Sequence, residues 1–273
     1  PDPIENQLSV LVESGFDNCQ LVCWDMSLFT PDNAALLSRL SSEYSVKYTA
    51  LWCGWEGPRV WNFYDGPLTL GLVPAEFRSM RIGNLKSGSD FAGKLGIGDL
   101  VTHMGFIPEN PSDSLFYGFC DSVSDVAGYC RKNGQHLLFE TGQETPVTML
   151  RCFETAGADN LGVNLDTANL IMYGKADPAA ALLLLGKYVR GVHAKDGLYP
   201  ANGRDLGMET PIGDGAVDFR AVINGLADCG YDGYITIERE IGDGRQRADI
   251  KRAAEYLSGI ISDISRRTDK LHT

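Results

Sequence analysis

The sequence predicts an α/β fold of the (β/α)8 TIM-barrel type, and three observations carry the prediction. Short apolar runs alternate with longer amphipathic stretches at the spacing of repeated strand–helix units. The 273 residues suit a single barrel domain spanning 1–273, which typically needs roughly 250. No G-x-G-x-x-G follows any strand, although Gly96-Ile97-Gly98 and Gly213-Asp214-Gly215 are superficially similar. An open dinucleotide-binding sheet thereby loses its best signature.

Taken in order, seven runs read as strands: Gln20–Trp24, Tyr48–Trp52, Leu100–Met104, His136–Glu140, Leu161–Asp166, Gly191–Ala194 and Tyr234–Glu238. Between them the helix punctuation is regular. Asp32-Asn33 precedes Ala34–Leu40, Pro111-Ser112-Asp113 caps Ser114–Cys130, and Asn133-Gly134 stops it. Glu144-Thr145-Pro146 opens Val147–Thr155, Asp177-Pro178 opens Ala179–Tyr188, and Asp218 starts Phe219–Asp228, which ends at Gly230. A last helix runs from Gln246 to Ile261. Gly54–Gly98 and Gly197–Gly215 read as elaborated loops after strands, which in a barrel belong to the active-site face. Leu8–Val12 is the one candidate for an eighth strand ahead of these, and its context is helical. The first strand is therefore expected to be missing or irregular, with incomplete closure at that point.

Hydrophobic residues make up 44% and charged residues 22%, enough apolar material for a sizeable core. Disorder, collagen and coiled coil are excluded. The 24 basic against 36 acidic side chains, a net −12, argue against nucleic acid or an anionic membrane as partner, because both draw on clustered Lys and Arg. Seven cysteines without a C-x-x-C pair indicate neither a disulfide scaffold nor a zinc ribbon; they read as small, reduced hydrophobes. The longest apolar candidate, Ala179–Leu185, is far short of the ~18 residues of a membrane span. The polar opening Pro1-Asp2-Pro3 does not read as a secretory signal, so a cytoplasmic location is expected.

Four predicted strands carry a potential metal ligand at or near the carboxyl end: Glu140, Asp166, His193 and Glu238. In a barrel those ends converge on one pocket. Each residue alone reads as readily as a helix cap or a satisfied polar group; the coincidence over successive units favours a shared site. One imidazole with three carboxylates suits one divalent ion, Mn²⁺ first, with Mg²⁺, Co²⁺ or Zn²⁺ as alternatives.

Several segments resemble the sugar phosphate isomerase/epimerase superfamily, the xylose isomerase-like barrels. They are Phe139-Glu140-Thr141, Val163-Asn164-Leu165-Asp166-Thr167, Val192-His193-Ala194-Lys195-Asp196-Gly197, and Tyr231 to Glu240 with its Ile237-Glu238-Arg239-Glu240 end. Pro211-Ile212-Gly213-Asp214-Gly215 resembles the family's turn into the last unit. The resemblance implies a metal on Glu140, Asp166, His193 and Glu238. It also implies that Glu140 and Glu238 face opposite sides of a substrate, one taking a proton next to a carbonyl and the other returning it through an enediolate. The implied activity is that of a metal-dependent sugar or polyol isomerase or epimerase. A lyase or dehydratase that begins with the same deprotonation is the nearest alternative, and a sugar-binding barrel without catalysis is the reading from another class.

Around that centre, the resemblance suggests Glu144 and Arg204 as the family's further substrate-binding glutamate and arginine. Asn169 stands where ketose 3-epimerases carry a sugar-contacting histidine, Lys195 is a candidate contact to substrate oxygen, and Asp196 orients its loop. His103, ending its strand in Thr102-His103-Met104, is a candidate substrate contact or a structural polar cap. All four tryptophans fall between Trp24 and Trp61. Trp24 and Trp55 are the candidate faces for a sugar ring, with packing of the loop as the alternative. His136 and His272 carry no assigned role. A small carbohydrate is the expected partner, and family members are often homo-oligomers.

Overall fold

The computed structural model describes residues 3–242 and 244–271, with side chains as far as Arg266. Pro1, Asp2 and His272 lie outside them. Seven parallel strands form one sheet whose order follows the chain, and a two-stranded antiparallel ribbon is separate. The described chain divides into two compact units.

The first unit comprises Pro1–Trp61, Asp65–Phe139 and Cys152–Gly162. It holds β1 (Asn18–Cys23), β2 (Lys47–Cys53), β3 (Asp99–Thr102) and most of β4 (His136–Glu140). Their register pairs Cys23 with Cys53, Leu51 with Leu100 and Val101 with Leu138. Ala50, Trp52, Val101 and Leu138 pack together with Trp24 against them. Of the helices, α1 (Ile4–Glu13) takes in the Leu8–Val12 run. That run is helical, and no strand precedes β1 among the described residues. Thr30 caps α2 (Pro31–Tyr44) by accepting from the Asn33 N–H at 3.2 Å, with Pro31 preset at the first position. Asp113 caps α5 (Ser114–Lys132) in the same way.

The stretch Gly54–Gly98, expected as one long loop, is instead largely helical. It contains the short α3 (Gly66–Thr69) and the twenty-residue α4 (Ala75–Lys94). The buried face of α4 is Arg81, Asn84, Leu85, Gly88, Ser89, Phe91 and Ala92. Its spacing is helical but its composition is small and polar, so no apolar stripe marks it in the sequence. Gly88 is required there, because a Cβ would sit 2.4 Å from Cys53 Sγ. Arg81 is fully buried and organises the remaining loop. Its guanidinium donates to the carbonyls of Glu56, Pro58 and Gly71 at 2.6–3.2 Å and lies 4.2 Å from the Trp55 ring centroid.

The second unit comprises Asn62–Tyr64, Glu140–Arg151 and Val163–Thr273. Helix α6 (Pro146–Ala156) begins in it. Strands β5 (Leu161–Asp166), β6 (Val189–Ala194) and β9 (Ile235–Ile237) are parallel. Their register sets Asp166 beside His193, and His193 beside Thr236. Helices α7 (Thr167–Met172), α8 (Pro178–Leu185) and α9 (Phe219–Asp228) start at Asp166, Asp177 and Asp218, each accepting a backbone N–H in its first turn; α10 is Gln246–Leu271. The Gly197–Gly215 loop carries the ribbon, β7 (Asp196–Gly197) against β8 (Glu209–Thr210). All seven cysteines are thiols outside any disulfide, and four of them are buried. No helix among the described residues is long and apolar enough to cross a membrane.

Candidate metal centre

Glu140 and Asp166 end β4 and β5, His193 is one residue before the end of β6, and Glu238 is one residue past the end of β9. All four belong to the second unit. Each offers one ligand atom, and these atoms lie within 4.8 Å of one another. His193 Nδ1 is 2.8 Å from Glu140 Oε1 and 3.2 Å from Glu238 Oε2.

Local structure holds each group. Asp166 Oδ1 accepts from the N–H groups of Ala168 and Asn169 at 2.9 and 2.8 Å, turning the other oxygen inward. Thr141 Oγ1 accepts from the Asp166 N–H and donates to the Asp166 carbonyl, both at 2.9 Å. Thr167 Oγ1 does the same for Lys195, donating to its carbonyl at 2.6 Å. The Glu238 N–H donates to the Ala194 carbonyl at 2.9 Å, continuing the β6–β9 ladder past its last paired residue.

The electrostatics follow from burial. Asp166 and Glu140 are 0% and 2% exposed, and His193 4%. Burial raises the Asp166 carboxyl well above the usual carboxylate range; Lys195 opposes this, while Glu238 and Glu140 add to it. Burial also pushes the His193 imidazole down, but Glu238 and Glu140 outweigh it and leave its pKa well above the ordinary value. Glu238 goes the other way, its burial overcome by His193 and Lys195, so its carboxyl ionises well below the usual range. Lys195 is only 2% exposed, with its ammonium 3.9 Å from Asp166, 3.6 Å from Glu238 and 2.5 Å from Glu240.

These residues fit a divalent ion. The donor set is oxygen-rich with one imidazole, the chemistry that Mn²⁺ or Mg²⁺ accepts. Asp166 Oδ2 is buried and receives no hydrogen bond. Leaving an acceptor buried this way costs about 1–3 kcal/mol, a cost that coordination removes.

The other sequence-predicted residues fall in different places. Asn169 is on α7 with its backbone on Asp166, and Lys195 is in the centre. Asp196 is a loop clamp, as expected. Its carboxylate accepts from the backbone N–H of Gly197, Gly213, Gly215 and Val217 at 2.8–3.1 Å. Glycine is required at 215, where a Cβ would lie 2.1 Å from Asp196 Oδ1. Arg204 is exposed, its N–H on Asn202 Oδ1. Trp24, Trp55 and His103 belong to the first unit. There His103 lies 5.7 and 5.1 Å from the Trp52 and Trp61 rings. Trp55, expected as a substrate face, is instead 0% exposed with Arg81 over its ring, so it packs the loop. The partner that sequence reasoning missed is Glu240; its signal is the Glu238-Arg239-Glu240 alternation, since positions i and i+2 of an extended chain share a side.

Glu144 is 2% exposed. Burial first, opposed by its own and the Gly142 backbone N–H and by Lys175, and supported by Glu140, raises its pKa to about 8. An unfolded glutamate ionises near 4.3. Between those values the folded state holds the proton and the unfolded state does not, so stability falls as pH rises through the window. In EDTA, Glu144→Gln is expected to be more stable than the native sequence at pH 8 by a few kcal/mol, with the gap closing toward pH 4. Urea midpoints across pH measure it; a gap that does not vary with pH refutes the assignment.

A family model described as a xylose isomerase-like TIM barrel matches residues 8–260. A solved xylose isomerase domain protein from Planctomyces limnophilus is 31% identical, with a TM-score of 0.90 over 95% of this chain and 93% of its own. Inosose dehydratase of Lacticaseibacillus casei is 28% identical over 112 residues, 37% of each chain. An L-ribulose 3-epimerase structure is 17% identical, with a TM-score of 0.75 over 99% of this chain and 92% of its own, a likeness of fold. With residues 8–260 matched, from α1 into α10, the chain belongs to the xylose isomerase-like TIM barrel family.

Proposed function

We propose that this chain is a divalent-metal-dependent, cytoplasmic isomerase or epimerase acting on a keto-sugar or polyol by moving a proton next to a carbonyl. The observation that carries the reading is the pair Glu140 and Glu238, two carboxylates on separate strands reaching one His193 nitrogen at 2.8 and 3.2 Å, with Asp166 completing the set. A divalent ion, Mn²⁺ in the first instance, would be held by Glu140, Asp166, His193 and Glu238 and would supply Lewis acidity beside the carbonyl.

The protein supplies the proton chemistry. Glu238, with the Lys195 ammonium 3.6 Å away, is the base that removes the α-proton, and Glu140, entering the step protonated, gives its proton to the enediolate from the other side, so that the two carboxyls exchange protonation states. Lys195 stands ready for a developing oxyanion, at the cost of its contacts to Glu238 and Glu240. Asn169 and Glu144 are the substrate contacts that the second unit supplies in this reading.

The similarity to inosose dehydratase favours one alternative, in which the same deprotonation is followed by loss of a β-substituent. Incubating Mn²⁺-loaded protein with 2-keto and 3-keto sugars in D₂O separates the two. Deuterium gained without loss of water or aglycone is the expected result. An ultraviolet-absorbing enone or a released aglycone assigns the lyase, and no exchange with any keto-sugar rejects both.

A further inference from the structure

Strand β9 ends at Ile237, and the last ladder bond that follows is the one from the Glu238 N–H to Ala194. The sheet therefore does not hold the next residues, although Glu238 and Glu240 both serve the centre. Arg239 between them points elsewhere. Its side chain is 5% exposed, with Nη1 donating to Glu209 Oε1 at 2.6 Å and Nε to Asp249 Oδ2 at 3.0 Å. The same Glu209 oxygen accepts from the Glu240 N–H at 3.2 Å, and the Gln246 side-chain amide donates to the Arg239 carbonyl. The segment is thus gripped through its N–H, its carbonyl and its central side chain, from β8 and from the start of α10.

A buried Arg with two acids is a poor device for stability, since apolar residues of similar volume do as well or better. It is a good device for fixing geometry. Glu209 also lies on the ribbon whose other strand, β7, begins one residue after Lys195, so the strand ends carrying Lys195 and Glu238 are tied to one ribbon.

We propose that Arg239 is a positioning residue for the metal centre: through Glu209 and Asp249 it fixes the segment that presents Glu238 to a divalent ion and Glu240 to Lys195. The proposal rests on the reading of Glu238 as a metal ligand, and the test keeps the two apart. Calorimetric titration of EDTA-treated full-length protein with Mn²⁺ is compared for the native sequence, Arg239→Met, Arg239→Lys and, as a control, Arg39→Met, whose exposed pair with Glu43 is remote in sequence from the centre. Arg239→Met is expected to bind Mn²⁺ about 10–100-fold more weakly, as loss of groups that orient metal ligands typically does. Arg239→Lys, which keeps the charge but not both bonds, recovers part. The nitrogen-15 signals of the His193 ring, recorded without metal, are expected to move in Arg239→Met and not in Arg39→Met, because His193 Nδ1 faces Glu238. An affinity for Arg239→Met within about two-fold of the native value, or an unmoved His193 signal, overturns the proposal. If Arg239→Met does not fold, Glu209→Gln takes its place, with the same expected loss of affinity and the same two-fold limit. Native protein that binds no Mn²⁺ overturns the metal reading instead, and the His193 signal alone then decides on Arg239.

Discussion

Glu238→Gln is expected to lower kcat for the proposed keto-sugar reaction by about 10²–10⁴-fold at saturating Mn²⁺, the usual contribution of a positioned general base. Glutamine keeps the volume and one oxygen ligand but cannot accept the proton. The loss belongs to Glu238 because the Lys195 ammonium, 3.6 Å away, favours its ionised form. Glu140→Gln is expected to behave differently. If Glu140 only returns the proton, the variant stops epimerisation yet still exchanges the α-proton of one epimer in D₂O. Proton NMR of the two epimers reads both rates. Retention of native rates by both variants removes the two-glutamate mechanism.

Lys195→Met is expected to destabilise the metal-free protein by about 3–5 kcal/mol, the cost of removing one partner from a buried charge cluster. The ammonium sits within 3.9 Å of Asp166, Glu238 and Glu240, and its loss leaves their carboxylates without that charge. Mn²⁺ should then stabilise the variant, by about 2.7 kcal/mol at one hundred times its dissociation constant, since the ion restores positive charge among the same oxygens. Urea unfolding with EDTA and with Mn²⁺ measures both effects. A loss under about 1 kcal/mol in EDTA, the size of an exposed pair, shows that the cluster is not electrostatically coupled.

Both expectations depend on residues that differ in how visible they are in the sequence. Glu140, Asp166, His193 and Glu238 are legible because each stands at or next to the end of a short apolar run, and strand ends are set by local pattern. Asp166 is legible twice, since it also caps α7. Lys195 and Asp196 follow directly from His193. By contrast, α4 hides behind its buried Arg81, Asn84, Gly88 and Ser89, where burial is satisfied by carbonyls, small size and close approach instead of an apolar stripe. Trp55 looked like a sugar platform because a sequence shows an aromatic residue but not what already covers its face.

The amino-acid sequence by itself determined the alternating strand–helix order, the seven strand positions and the four ligand candidates, since all of these rest on short-range periodicity, capping and turn chemistry. Only the tertiary structure decided which charges meet. The Arg239–Glu209 pair spans thirty residues, Lys195–Glu240 forty-five and His193–Glu140 fifty-three. Such contacts are set by strand register and by the path of a loop, and local propensity carries no information about either.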